Sequence, residues 1–232
     1  MATLQTYIDQ TRNLMNAYGS GQWTDAEITS YIGTAHWAEW ADLLNANRFY
    51  KMQQVSVTED SNGQFTFASL TTGSGDTAKY FYRIITVAQP GTPASQVQYY
   101  YREATYDQYP NPQPNTSLPY VWYRFGDNVQ VLPVASGQGL TITTNWRPTK
   151  ASSLTNASST VDFPTGYEDV VSWRAAALAL AKGGSEVDAT RSLLAQYTIM
   201  HDAFLADLGR QSTWPIIARA FDVPQDWGGG FN

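Results

Sequence analysis

The two histidines are the first side chains of this sequence to consider for chemistry. His36 and His201 each lie in a predicted amphipathic helix, His36 three residues before Glu39 and His201 next to Asp202. A metal site built on both would also need a carboxylate and a close approach of the two helices. No motif supports such a site, so we interpret both histidines as polar residues on partly buried helix faces. The sequence therefore predicts no metal site.

Two pairs of adjacent acidic residues are the other candidates. Glu59-Asp60 adjoins a predicted turn, and Glu168-Asp169 lies in the first turn of a predicted helix, where the helix dipole favours acids. A hydrolase using such acids stays an alternative. The sequence contains no nucleophile elbow, P-loop, dinucleotide fingerprint, zinc-protease motif or EF-hand loop. We therefore predict a protein that is not an enzyme and needs no cofactor.

The composition favours contacts with other proteins. Charged residues make up 15% of the chain and aromatic residues 14%, whereas globular domains average about 25% charged residues. Tyr and Trp provide rigid contact area at low entropic cost. A chain with much surface buried against neighbours fits this composition, and a monomer with an aromatic core is the alternative.

The charge and the termini restrict the partners and the compartment. The net charge is -6 and no Lys/Arg run occurs, which argues against tight phosphate binding but allows DNA to slide past an acidic wall. The absence of cysteine excludes disulfides and thiol chemistry. The N-terminus lacks a secretion signal, and the longest apolar helical run, residues 175–181, is too short for a membrane span. We expect a cytosolic product without membrane contact.

The hydrophobic period changes twice along the chain. Residues 3–46 follow helical spacing, with a capping box at Thr24 and Glu27, whereas residues 52–146 alternate with the period of strands. Helical spacing returns after residue 163, with a second capping box predicted at Thr165 and Glu168. We expect four regions: a helical hairpin at 1–50, a β-rich insert at 51–148, a linker and helical hairpin at 149–209, and an extended tail at 210–232.

Neither helical pair can bury its apolar stripe alone, so the two pairs must meet. The strand segment is punctuated by turn signals, and residues 120–134, which pivot on Gly126-Asp127-Asn128, form the clearest hairpin. Phe65 and Phe67 are assigned to one strand by their alternation. The predicted fold is α+β: an antiparallel helical bundle of about four helices, interrupted by a β-sandwich or barrel-like insert, with an extended C-terminal tail.

The tail combines apolar anchors with residues that oppose regular structure. It contains two Trp, two Phe and two Ile together with two prolines and three consecutive glycines, which favours folding upon a partner over packing on its own domain. The predicted docking residues are Trp214, Pro215, Ile216, Ile217, Arg219, Phe221, Trp227 and Phe231.

Aromatic residues outside the tail are weaker candidates for contacts. Those of the β segment suit a core, a subunit contact or a sugar-stacking face, and the last makes a carbohydrate-binding or tail-associated β module the alternative function. The residues predicted to contact neighbouring subunits are Tyr99, Tyr101, Trp122, Trp173 and Arg174.

Two segments resemble the head-to-tail adaptor proteins of tailed bacteriophages. One is the strand Ile-Thr-Thr-Asn-Trp-Arg-Pro at 142–148, and the other runs from Phe163-Pro164 through the alanine-rich helix to Gly183-Gly184. The helix start Trp-Thr-Asp-Ala-Glu-Ile at 23–28 is similar too, and the likeness in element order extends over the whole chain. The β insert is longer than in the mainly helical members of that family.

The resemblance implies a structural virion protein of the neck, assembled in the host cytoplasm. Its subunits would form a ring, expected to be a dodecamer, between the portal protein and the tail or nozzle proteins. Double-stranded DNA would pass through the ring without sequence-specific binding. The C-terminal segments of the family insert into or along the portal, and residues 210–232 occupy the matching position here.

Overall fold

A computed structural model describes residues 2–17, 23–89, 99–108, 120–134, 137, 139–183 and 187–209 of the chain. Over these residues the helices are α1 (Leu4–Ala17), α2 (Asp25–Ala46), α3 (Glu168–Gly183) and α4 (Val187–Phe204), the last followed by a π-helical turn (Leu205–Gly209). The strands are β1 (Met52–Thr58), β2 (Gln64–Thr66), β3 (Lys79–Gln89), β4 (Tyr99–Glu103), β5 (Val121–Phe125), β6 (Asn128–Leu132) and β7 (Gly139–Pro148). The predicted α+β class, with a strand segment between two helical pairs, is confirmed.

The capping signals predicted one helix start correctly and missed the other. At α2, the Thr24 side chain accepts from the Glu27 N–H and the Glu27 carboxylate accepts from the Thr24 N–H, as predicted. The predicted box at Thr165 is wrong, because the Glu168 carboxylate accepts from the Gly166 N–H instead. Gly166 has a positive φ of 92°, so the chain turns there and α3 begins at Glu168, two residues later than a Thr165 cap requires.

The four helices share one hydrophobic core in which α3 is central. Helix α3 packs against α1, α2 and α4, and its buried face consists largely of Ala175, Ala176 and Ala179. Small side chains let neighbouring helices approach α3 closely. Phe163, which precedes α3, is buried in the same core and stacks on Phe204 with ring centroids 5.4 Å apart.

The polar segment between β7 and α3 caps the first helix. The N–H groups of Leu4 and Gln5 donate to the carbonyl oxygens of Ser159 and Ala157, and Val161 donates to Ala2. The first two bonds satisfy amide donors that the first turn of α1 leaves without helical partners. The segment is therefore a fixed part of the helical layer.

The same segment crosses α2 at Gly33. A Cβ atom on Gly33 would lie 2.2 Å from Ser152 Oγ, 2.4 Å from Ser152 Cβ and 2.9 Å from Ser152 N. We expect Gly33→Ala to lower the free energy of unfolding by about 1–3 kcal/mol, although alanine is about 1 kcal/mol more favourable than glycine in a helix. The reason is that the Ser152 backbone must move away from α2.

Gly139→Ala is the matched control in urea denaturation followed by circular dichroism. A Cβ atom on Gly139 meets nothing within 4 Å, so this variant should unfold close to the wild-type midpoint. A Gly33→Ala protein as stable as the wild type would contradict the packing argument.

The strands form one nearly closed sheet in the order β1-β7-β3-β4-β5-β6-β2. All pairs are antiparallel except β4 and β5, and the enclosed core includes Val55, Val87, Val129 and Ile142. The predicted hairpin at 120–134 is confirmed: β5 and β6 pair across a turn in which Gly126 has a φ of 59°. The strand assignment of Phe67 is wrong, because Phe67–Leu70 is a short 3-10 turn.

The sheet is attached to the C-terminal end of α2. The Asn145 side-chain amide donates to the carbonyl oxygens of Arg48 and Tyr50 at 2.8 Å each. The Arg83 guanidinium donates to Leu44 O at 3.0 Å. Within the ranges given above, no helix has the length and apolar character required to cross a membrane.

Candidate functional site

The predicted docking residues of the tail lie outside the described part of the chain. All eight, from Trp214 to Phe231, fall within residues 210–232. Their docking role stays a prediction. The described chain ends at the π-helical turn, where the Asn47 side-chain amide donates to Leu208 O at 3.0 Å.

The residues predicted to contact neighbouring subunits have different environments. Tyr101 and Trp122 are 6% and 8% exposed in the core of the sheet, and only the backbone of Tyr99 is described. Trp173 is partly buried beside a cleft between α1 and α3. Arg174 points into the helical layer. The structure thus gives Tyr101, Trp122 and Arg174 contacts within the chain, and their role between subunits stays a prediction.

A polar network lies where α2, α3 and α4 meet. Glu39 of α2 has a fully buried side chain, and its Oε1 accepts from Arg174 Nη1 at 3.0 Å and from the Tyr197 hydroxyl at 2.7 Å. Arg174 Nη1 also donates to Asp42 Oδ2 at 2.9 Å. One guanidinium therefore serves two carboxylates, since Glu39 and Asp42 are three residues apart on one helix face.

His201 of α4 completes this network without a hydrogen bond. Its Nε2 lies 3.7 Å from Glu39 Oε2 and 3.5 Å from Asp42 Oδ2. Glu39 Oε2 and His201 Nε2 are both buried, and neither has a hydrogen-bond partner. Two polar atoms thus face each other at a separation too long for a hydrogen bond.

The electrostatics of the network follow from burial. Burial raises the pKa of Glu39, and the bonds from Tyr197 and Arg174 offset only part of this effect. Burial opposes the charge of Arg174, but the bonds to Asp42 and Glu39 outweigh it and raise the pKa of Arg174. Burial and the nearby Glu39 also raise the pKa of Tyr197, so the hydroxyl stays a donor.

His36 does not join this group. Its side chain is fully buried, and burial lowers its pKa to about 4, so the imidazole is neutral near pH 7. His36 Nε2 lies 2.9 Å from Asp162 O, which also accepts from Trp40 Nε1. The interpretation of His36 as a structural helix residue agrees with these contacts.

Large apolar side chains are exposed on both parts of the molecule. On the strand segment they are Tyr100, Tyr106, Tyr120 and Phe125, and on the helices they are Leu178, Leu194 and Ile199. Ile199 is 65% exposed. Single exposed apolar side chains are common on soluble proteins, so these positions do not by themselves identify a contact surface.

Two helical pairs share one core, the strand segment lies between them in sequence, and apolar side chains are exposed on both parts. The chain belongs to the SU10 adaptor protein family, whose model matches residues 2–221. The resemblance to phage head-to-tail adaptors is therefore confirmed, and the chain is a structural adaptor component of a phage virion. No curated protein matches the chain significantly. The family match favours the adaptor function over the carbohydrate-binding alternative.

Sequence analysis missed the network around Glu39. The acids are three residues apart, which is a visible signal, but 135 residues separate Glu39 from Arg174 along the chain. Their meeting depends on how α3 and α4 pack against α2. In the sequence, Glu39 lies close to His36, which suggests that these two residues interact. In the structure, the histidine next to Glu39 is His201.

Proposed function

We propose that this protein forms a ring between the portal and the tail of the phage particle and continues the DNA channel there. The observation that carries the proposal is the family match over residues 2–221. The net charge of -6 supports it, because an acidic channel wall repels DNA and lets it slide. The ring is a dodecamer, its partners are the portal protein and the tail or nozzle proteins, and it assembles in the host cytoplasm.

In this proposal, the four regions expected from the sequence have different roles in the ring. The change to strands at Met52 and the end of β7 at Pro148 support a β-rich insert at 51–148. The helical regions, 1–50 and 149–209, share one core and form the body of the subunit. The insert presents its exposed aromatic side chains to tail proteins, and residues 210–232 dock on the portal.

Imaging of the purified protein with the portal by negative-stain electron microscopy tests this proposal. We expect twelve-fold rings stacked on the portal. The measured mass of the ring, free or bound to the portal, should equal that of twelve subunits. The protein alone is the control for self-assembly. A protein that stays monomeric and does not bind the portal at concentrations well above the micromolar range would contradict the ring proposal.

A further inference from the structure

We propose that Glu39, Asp42 and His201 form a binding site for a divalent transition-metal ion of the zinc type. The inference goes beyond the adaptor function and does not depend on it. The site joins α2, which supplies both carboxylates, to α4, which supplies the imidazole.

The distances between the ligand atoms are close to those of a metal site. One ligand atom from each of Glu39, Asp42 and His201 can be chosen so that all lie within 4.8 Å of one another. The separations from His201 Nε2 to Glu39 Oε2 and to Asp42 Oδ2 are 3.7 Å and 3.5 Å. Ligands about 2.0–2.1 Å from a tetrahedral zinc ion are about 3.3 Å apart. The two separations from His201 Nε2 therefore need to shorten by only a few tenths of an ångström, and the two carboxylate oxygens, within 4.8 Å of each other, move together to complete the coordination.

Two of the three polar atoms that would bind the ion have no other partner, whereas Asp42 Oδ2 also accepts from Arg174 Nη1 at 2.9 Å. Glu39 has a side-chain exposure of 0%, and its Oε2 accepts no hydrogen bond although Oε1 accepts two. His201 Nε2 is likewise buried and without a hydrogen bond. Leaving such groups unpaired is costly. One cation between these two atoms satisfies both.

The charges of the network also favour a cation. Glu39 and Asp42 carry two negative charges when ionised, and Arg174 supplies one positive charge to them. Arg174 and Tyr197 bind Glu39 through Oε1, so they hold the carboxylate while Oε2 remains available for the ion. Imidazole together with carboxylates suits zinc and its neighbours in the first transition row. The partly exposed side chain of Asp42 gives the ion a route from solvent.

Titration of the full-length, chelator-treated protein with Zn²⁺ in a calorimeter tests the site. We expect one ion per chain and a dissociation constant in the micromolar range or tighter. Addition of Co²⁺ should produce the visible absorption of a low-symmetry cobalt site with oxygen and nitrogen ligands. Both metals should raise the melting temperature, because an ion that binds only the folded state stabilises it.

Two variants and one control connect the signals to this site. His201→Asn and Glu39→Gln should each weaken Zn²⁺ binding by more than about tenfold and remove the cobalt absorption. Glu39→Gln keeps an oxygen for Arg174 and Tyr197, and circular dichroism verifies that it folds. Asp9→Asn, which changes an exposed acid on α1, should bind as the wild type does.

Two results would overturn the proposal. One is the absence of heat, cobalt absorption and thermal shift in the wild-type protein, which would mean that the network holds no ion. The other is unchanged binding in both site variants, which would place the ion elsewhere on the chain.

Discussion

Removal of residues 211–232 is expected to abolish portal binding while leaving the folded subunit intact. The segment carries two Trp, two Phe and two Ile in 22 residues that also include two prolines and three consecutive glycines. Trp is enriched among residues that dominate interface energies, and each such anchor contributes about 2 kcal/mol or more when buried. Loss of Trp214 and Trp227 together therefore corresponds to a decrease in affinity of about a thousandfold.

The fold should survive this deletion because the chain before the tail is firmly attached. Phe204 is fully buried and stacks on Phe163, and the Tyr167 hydroxyl donates to Asp207. Asn47 holds Leu208 by the bond to its carbonyl oxygen. The truncated protein should therefore retain the circular dichroism and melting temperature of the full chain.

Surface plasmon resonance with immobilised portal measures the loss. Trp214→Ala/Trp227→Ala separates the anchors from the rest of the tail, and Asp9→Asn, which changes an exposed acid on α1, is the control outside the tail. The control should bind like the wild type. Unchanged portal binding after the deletion would contradict the docking hypothesis. It would not contradict the ring proposal, which the electron microscopy experiment tests separately.

Local signals explain which parts of the fold were predictable. The helical spacing and the capping box at Thr24 depend on residues within one or two turns, and the hairpin depends on the turn at Gly126. Alternation alone misplaced Phe67, because the Thr66 hydroxyl accepts from the Ser69 N–H and starts a 3-10 turn there. A side chain that caps the backbone overrides the two-residue period of the strand.

Nonlocal packing explains what remained hidden. The buried position of Glu39 follows from contacts with Arg174 on α3 and Tyr197 on α4, and the segment between β7 and α3 finds its place against Gly33. Each of these pairs is more than 100 residues apart in sequence. A single sequence shows that these side chains are polar. It does not show which faces of α2, α3 and α4 pack against one another.

Replacement of Arg174 by methionine should destabilise the protein by about 3–5 kcal/mol. Glu39 is fully buried, and the substitution removes the guanidinium that donates to it at 3.0 Å. A buried carboxylate without its cation bears the cost of desolvation with little compensation. Such a loss is a large part of the total stability of a typical domain, which is about 5–15 kcal/mol.

The surface pair of Arg12 and Asp25 provides the matched control. Both side chains are well exposed, at 39% and 63%, so Arg12→Met should lower the free energy of unfolding by less than about 1 kcal/mol. Urea denaturation followed by circular dichroism measures both variants. Equal losses in the two would show that the buried pair behaves like a solvated one.

A second substitution separates the lost charge from the lost packing. Arg174→Met/Glu39→Gln removes both charges but keeps an oxygen that accepts from the Tyr197 hydroxyl, so the double variant should recover most of the stability. A failure to recover would assign the loss to the packing of the Arg174 side chain on the Tyr197 ring, whose centroid lies 5.7 Å from the guanidinium.

The pH dependence gives an independent test of the same cause. Burial already raises the pKa of Glu39 in the wild type, and removal of Arg174 should raise it further. The folded variant then takes up a proton at a higher pH than the unfolded chain does, so its stability increases as the pH falls toward the ordinary pKa of glutamate, about 4.3. The difference between the Arg174→Met variant and the wild type should therefore shrink on acidification. A loss that stays constant over this pH range is incompatible with an uncompensated carboxylate.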